Sequence, residues 1–268
     1  MKAVQITETG APEVLKYVEL PTPKPGPGEV LVKAHAIGVC MPETLVRRGV
    51  YKWMPPLPLI PGIEMGGTVV EAGPGASKLK IGQKVFVCAR EFRERSGCYA
   101  EYIAAREDLL YAVPDSVDLD QVAGLANYQV AWHLLNSALQ GFQYKSVLVI
   151  AAAGGVGTAL VQLAKVYGKR VIGVVSSDAR GAFARAQGAD EVIDRTRTNV
   201  IAETQWLTGG RGVHFEHVDM TRFHNSAAMH AFFRHVDRRA AGAVFGLIIQ
   251  AARENTRRCR FADTAHTG

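Results

Sequence analysis

No run of apolar residues in the 268-residue chain is long enough to span a bilayer. The opening "MKAVQITETGAPEVL" has no apolar core behind a basic start, so no secretory leader is read and a cytoplasmic location is expected. The cysteines are few: Cys40, Cys88, Cys98 and Cys259 stand far apart, with no C-x-x-C pair and no even ladder. That excludes a small disulfide-stapled domain and leaves reduced thiols as the expectation. Blocks of like charge are missing too. The net charge of +6 is scattered along the chain with no aromatic residues interleaved, which is no footprint for nucleic acid. Internal repeats and low-complexity tracts are absent, and 48% hydrophobic against 21% charged residues is the balance of a folded globular chain rather than a disordered one.

What is present changes character along the chain. Up to about residue 115, "KAVQI", "EVLVKAHAI", "GTVVEAG", "QKVFVCA" and "CYAEYIAA" are short β-branched runs parted by Gly and Pro clusters, the pattern of a compact β-barrel or sandwich. The Pro-rich "PTPKPGPGEV" leads into one of them as an extended loop. After Pro114, "DSVDLDQVAGLANYQVAWHLLNSAL" spaces its apolar residues by three and four, as a buried helix does. From Ser146 strand and helix alternate through "SVLVIA", "GVGTALVQLAKVYG", "RVIGVVS", "ARGAFARAQG", "EVID", "VIAETQWLTG" and "GVHFEHV". Such alternation means βαβ units and a parallel sheet. The expected architecture is therefore α/β with a β-rich domain over 1–117 and a parallel-sheet domain over 118–268.

Residues 219–268 lose that rhythm. They contain no lysine, and this end of the chain, counting His217, holds five of the eight histidines (His217, His224, His230, His235, His266). A metal site is one reading of those histidines. A helical surface of unusual composition is preferred, because no His or Cys pair stands at a ligand spacing on a recognisable scaffold. Wealth in Arg, Ala and His without Lys also resembles translation in a shifted reading frame, in which case the parallel sheet is left incomplete.

The most specific signal is "VLVIAAAGGVGTALVQLAK". A strand ending at Ala151 runs through Ala153, Gly154 and Gly155 into a helix that opens at Val156 and Gly157. Glycines there let the backbone approach a pyrophosphate and let the helix pack close to its strand. The helix N-terminus adds unpaired N–H groups and a positive dipole end. An acidic residue closing the next strand would grip the ribose hydroxyls of NAD. This chain has Ser176 and Ser177 there and Arg180 shortly after, hydroxyls and a guanidinium that suit a 2′-phosphate. The expected cofactor is NADP(H), with Asp178 read as the N-cap of the following helix.

From Met1 to about Val218, "PTPKPGPGEVLVKAHAIGV", "LPLIPGIEMGGTVVEAGPGASKLKIGQKV", "GCYAEYIA", "AAAGGVG" and "QGADEVID" together resemble the medium-chain dehydrogenase/reductases, in their zinc-independent quinone oxidoreductase branch. The resemblance implies a GroES-like β-barrel followed by a Rossmann doubly wound parallel sheet, with a substrate cleft between them. Metal-using members carry one ligand in a Gly-Val-Cys stretch and a second in a Gly-His-Glu stretch. Gly38, Val39 and Cys40 match the first, but the second reads Gly62, Ile63, Glu64, so no catalytic zinc is expected. Carried over residue by residue, Tyr51 is a hydrogen-bond donor to an acceptor oxygen and Cys40 stands where the branch has asparagine. Asn127, with Tyr128, lines the nicotinamide side or simply opens a helix. The implied activity is NADPH-dependent hydride transfer to a quinone or α,β-unsaturated carbonyl. The family's homodimer contact would come from the unmatched last fifty residues. A degenerate, non-catalytic NADPH-binding protein is the alternative of another class, and a zinc alcohol dehydrogenase is disfavoured by Ile63.

Overall fold

A computed structural model describes residues 1–137 and 143–210 and the backbone of 214–216. The expectations placed on 219–268, including the five histidines, the shifted frame and the dimer contact, lie outside the described residues. Among the described residues no helix is long and apolar enough to cross a membrane.

The chain divides into two compact units after Ala126. The first unit holds β1 (Lys2–Gln5), β2 (Lys16–Glu19), β3 (Glu29–Ile37), α1 (Met41–Arg47), β4 (Glu64–Ala72), β5 (Lys84–Cys88), β6 (Tyr102–Arg106), β7 (Leu110–Ala112) and α2 (Leu119–Val122). β1 and β2 pair with each other, and the remaining five form an antiparallel sheet in the order β6-β3-β4-β5-β7. Register shifts between Leu31 and Val32 and between Ala34 and Ala36 put irregularities into β3 where it meets β4. Extra residues of that kind bend a strand and raise its twist, which curls the sheet. Its inner face buries Val30, Val32, Met65, Val69, Val85 and Val87 completely. The alternation that marks β3 in the sequence is that face.

The second unit begins with α3 (Leu125–Trp132), whose first two residues belong to the first unit. It continues with β8 (Ser146–Ile150), α4 (Gly155–Val166), β9 (Arg170–Val175), α5 (Asp178–Ala186), β10 (Glu191–Asp194), α6 (Val200–Leu207) and β11 (His214–Glu216). Its strands are parallel in the order β10-β9-β8-β11. The chain thus builds outward from β8 to β10 and then returns to the other side of β8. That reversal is the switch point at which open α/β sheets bind ligands, outside the carboxyl ends of their strands.

Two elements differ from the sequence expectation. The single helix read over 115–139 is two, α2 and α3, and α3 runs on into a wide turn through Ser137. Gly124 lies between the two helices, and apolar spacing alone did not register that break. β4 begins at Glu64, three residues before the "GTVVEAG" run, which brings Glu64 into the sheet opposite Cys88.

Candidate functional site

The glycine turn follows β8 directly. Gly154 is the N-cap of α4, so the helix opens one residue earlier than the sequence indicated, at Gly155. Gly155, Val156 and Gly157 form its first turn, whose N–H groups have no partner within the helix. A side chain at Gly157 is excluded by fixed backbone, and one at Gly155 would have to displace an amide. A Cβ on Gly157 would stand 2.2 Å from the Ala151 carbonyl oxygen, and one on Gly155 would stand 2.8 Å from Asn127 Nδ2. The turn therefore exposes bare backbone donors at a helix N-terminus, a cradle for a phosphate. Asn127 belongs to this constellation, since its half-buried amide lies against Gly155. Tyr128 does not: its hydroxyl bonds Gln162, whose amide reaches Gln187 at 2.6 Å inside the unit. Burial holds the Tyr128 phenol up to about 12, so it stays neutral.

Ser176 and Ser177 follow the end of β9. Ser177, not Asp178, is the N-cap of α5, its Oγ accepting from the Arg180 N–H at 3.4 Å. The sequence offered two capping side chains in succession, and the backbone of Ser177 takes the extended conformation a cap requires. The Arg180 guanidinium folds back to Ser176 Oγ at 2.6 Å. Both hydroxyls and the guanidinium are thus gathered at the carboxyl end of β9. Asp178 is held by a residue that the sequence reading passed over, Arg197, through two hydrogen bonds of 2.8 and 2.7 Å.

In the first unit, Cys40 caps α1. Its N–H donates to Glu43 Oε2 at 3.0 Å, while its thiol donates to Glu64 Oε1 at 2.9 Å. The other Glu64 oxygen accepts from the Ala126 N–H at 2.9 Å, and Glu43 Oε1 accepts from the Ile63 N–H at 3.1 Å. Glu64 is 1% exposed and Glu43 6%. Burial raises both carboxyls above the usual carboxylate range, tempered for Glu64 by the Cys40 and Ala126 hydrogen bonds. The Cys40 thiol is raised far up, first by burial and then by the Glu64 charge, so it is a neutral thiol whose proton points at a carboxylate. Such a sulfur is no nucleophile. Tyr51 packs beside the Ile6, Val46 and Leu59 cluster and meets Trp53 edge-on, with ring centroids 5.5 Å apart.

A catalytic zinc takes three protein ligands and leaves one position open. Among the described residues, three such donors within 4.8 Å of one another occur only at His35, Asp118 and Asp120, all exposed. Cys40 and Glu64 are not joined by a third, and Ile63 is a buried apolar side chain. His133, in the wide turn after α3, belongs to the second unit, where burial lowers its pKa. None of Cys40, Cys88 and Cys98 is in a disulfide.

A curled antiparallel sheet and a parallel sheet with a glycine turn at its switch point are the two halves of an alcohol-dehydrogenase type of chain. Residues 26–115 match the profile described as alcohol dehydrogenase GroES-like domain, and residues 155–261 that of zinc-binding dehydrogenase. The quinone oxidoreductase of Rattus norvegicus is 35% identical over 215 residues, covering 80% of this chain and 64% of its own length. A mycobacterial protein solved as a complex with NADPH is similar at 38% identity and a TM-score of 0.70, covering 80% of this chain and 65% of its own. An NAD-dependent alcohol dehydrogenase superposes with a TM-score of 0.72 at 33% identity, over 80% and 69% of the two chains. The chain belongs to the medium-chain dehydrogenase/reductase family and, within it, to the quinone oxidoreductase branch. It spans about 64% of the length of the curated relatives it matches. The second profile runs to residue 261, so the stretch that composition set apart from 219 onward is not wholly foreign to the family.

Proposed function

We propose that the protein is an NADPH-dependent reductase of quinones or α,β-unsaturated carbonyls that works without a catalytic metal. The observation that carries the reading is the second unit's pairing of a bare glycine cradle with Ser176, Ser177 and Arg180 gathered at the end of β9. The first suits a pyrophosphate and the second a 2′-phosphate. NADPH supplies a hydride when bound. The residues that would hold it are the backbone of Gly154, Gly155, Val156 and Gly157, with Ala153 in the same turn, the hydroxyls of Ser176 and Ser177, the Arg180 guanidinium and the Asn127 amide. The NADPH held by the mycobacterial relative supports the same cofactor.

The metal-free part of the reading rests on the donor set. Oxidising an alcohol calls for a Lewis acid at the developing alkoxide, whereas a conjugated acceptor spreads the incoming negative charge over its own oxygen. Cys40, its proton committed to Glu64, presents sulfur as a wall rather than a donor. Tyr51 is the proposed donor to the acceptor oxygen, its ring set by Trp53 and the Val46 cluster. Water or a second hydroxyl delivers the remaining proton. The test is steady-state NADPH oxidation with a simple ortho-quinone on chelator-dialysed protein, read beside elemental analysis. Turnover in metal-free protein supports the proposal, and NADPH binding without turnover sinks it. Stoichiometric zinc lost together with activity would restore the alcohol dehydrogenase reading.

A further inference from the structure

Asp178 is the residue at odds with a 2′-phosphate site. It stands on the first turn of α5, directly after Ser177 and two residues before Arg180. A carboxylate near this point ordinarily favours the free ribose hydroxyls of NAD and repels a phosphate. The structure shows what answers it. After β10 the chain is tied to the end of β9 by the Arg195 N–H bonding Val175 O at 3.1 Å. Asp194 then fixes the turn: its Oδ1 accepts from Thr196 N and Oγ1 at 2.9 and 2.7 Å, and its carbonyl accepts from the N–H groups of Arg197 and Thr198 at 3.0 and 3.1 Å. From that turn the Arg197 guanidinium forks onto both Asp178 oxygens, with its Nε 3.7 Å from Asp194 Oδ2.

We propose that Arg197 is a specificity-determining residue for the 2′-phosphate, acting through Asp178 by cancelling a charge beside Ser176, Ser177 and Arg180 that would oppose it. The inference rests on the NADP(H) reading of that site. The pair is of little use to the fold, because both partners are exposed, Arg197 at 64% and Asp178 at 75%, and exposed pairs contribute little to stability. Its effect is on an incoming anion. A phosphate monoester carries nearly two negative charges, so an uncancelled carboxylate several ångströms away weakens it by about tenfold in a water-like dielectric. NADH, with hydroxyls in that place, does not feel the repulsion.

The experiment is equilibrium titration of the full chain with NADPH and with NADH, for the wild type, R197Q, D178N and the double variant D178N/R197Q, with melting temperatures alongside. R197Q is expected to lose about tenfold in NADPH affinity and less than twofold for NADH, with little change in melting temperature. D178N in the R197Q background is expected to return NADPH affinity to near the wild-type value. Equal losses for both cofactors overturn the inference. So does a failure of D178N to rescue, because Arg197 would then act on the phosphate directly and not through Asp178. A wild type that binds the two cofactors equally overturns the NADP(H) reading itself. A wild type that prefers NADPH, with the ratio unmoved in R197Q, overturns this inference alone.

Discussion

Two alanine substitutions in the glycine turn separate packing from ligand space. A Cβ on Gly157 would lie 2.2 Å from the Ala151 oxygen and 2.9 Å from both Ala151 C and Ala152 Cα. These are backbone atoms, and the same oxygen accepts the Gly154 N–H at 2.8 Å. Ordinary contact is about 3.5 Å, so turn and helix must part by on the order of 1 Å. Overpacking of that kind costs about 1–3 kcal/mol, and the gain of Ala over Gly in a helix returns at most ~1 kcal/mol. A net loss of about 1–2 kcal/mol lowers Tm by roughly 2–8 °C for a chain of this size. Gly154→Ala is the contrast. Its Cβ would meet only the Ala151 oxygen, at 3.3 Å, and its φ of −87° suits any residue. Gly154→Ala should therefore melt within about 2 °C of the wild type. If the proposed phosphate site is right, the added methyl crowds it, so NADPH affinity should fall at least about tenfold, because donors displaced from contact lose a charge-assisted hydrogen bond. Thermal melting and NADPH fluorescence titration read the two effects separately. Wild-type NADPH affinity in Gly154→Ala, or an unchanged Tm in Gly157→Ala, would refute the reasoning.

Three further expectations concern the same two units. Ala151 holds φ at +54°, where an L side chain is strained by about 1 kcal/mol, so Ala151→Gly should keep or raise Tm despite the added freedom of the unfolded chain; a clear fall would count against it. Because burial raises Glu64 above 4.5, the folded state binds more protons than the unfolded one over the interval just above that value. Stability from this group therefore falls as pH rises through the interval, and Glu64→Gln should flatten the slope measured by urea unfolding; parallel curves would refute the assignment. Cys40, neutral and bonded to Glu64, should react with iodoacetamide at pH 7.5 well below the rate of an exposed peptide thiol, and a rate equal to the peptide's would contradict its burial and pairing.

The glycine turn was legible because its requirement is local: a strand, a break where side chains do not fit, and a helix start lie within about fifteen consecutive residues. The parallel sheet was legible for the same reason, since strand and helix in alternation call for parallel strands joined by crossovers. The pairings that define the two sites were not. Arg197 reaches Asp178 across 19 residues, Glu64 reaches Ala126 across 62, and no spacing in the sequence marks either pairing. The N-cap at Ser177 was missed by one position, because Ser and Asp cap equally well and only the backbone angle decides. Cys40 shows the same limit. Its Gly-Val-Cys stretch matches that of metal-using members and Ile63 removes the second ligand, but that its thiol proton is committed to a buried carboxylate is a fact of the fold.

The most direct test of the account is the melting temperature of the full chain with saturating NADPH against saturating NADH. Ligand that binds only the folded state raises Tm in proportion to the logarithm of its concentration over Kd. A larger shift is expected with NADPH, from the 2′-phosphate proposed to sit at Ser176, Ser177 and Arg180. An equal or larger shift with NADH would contradict it.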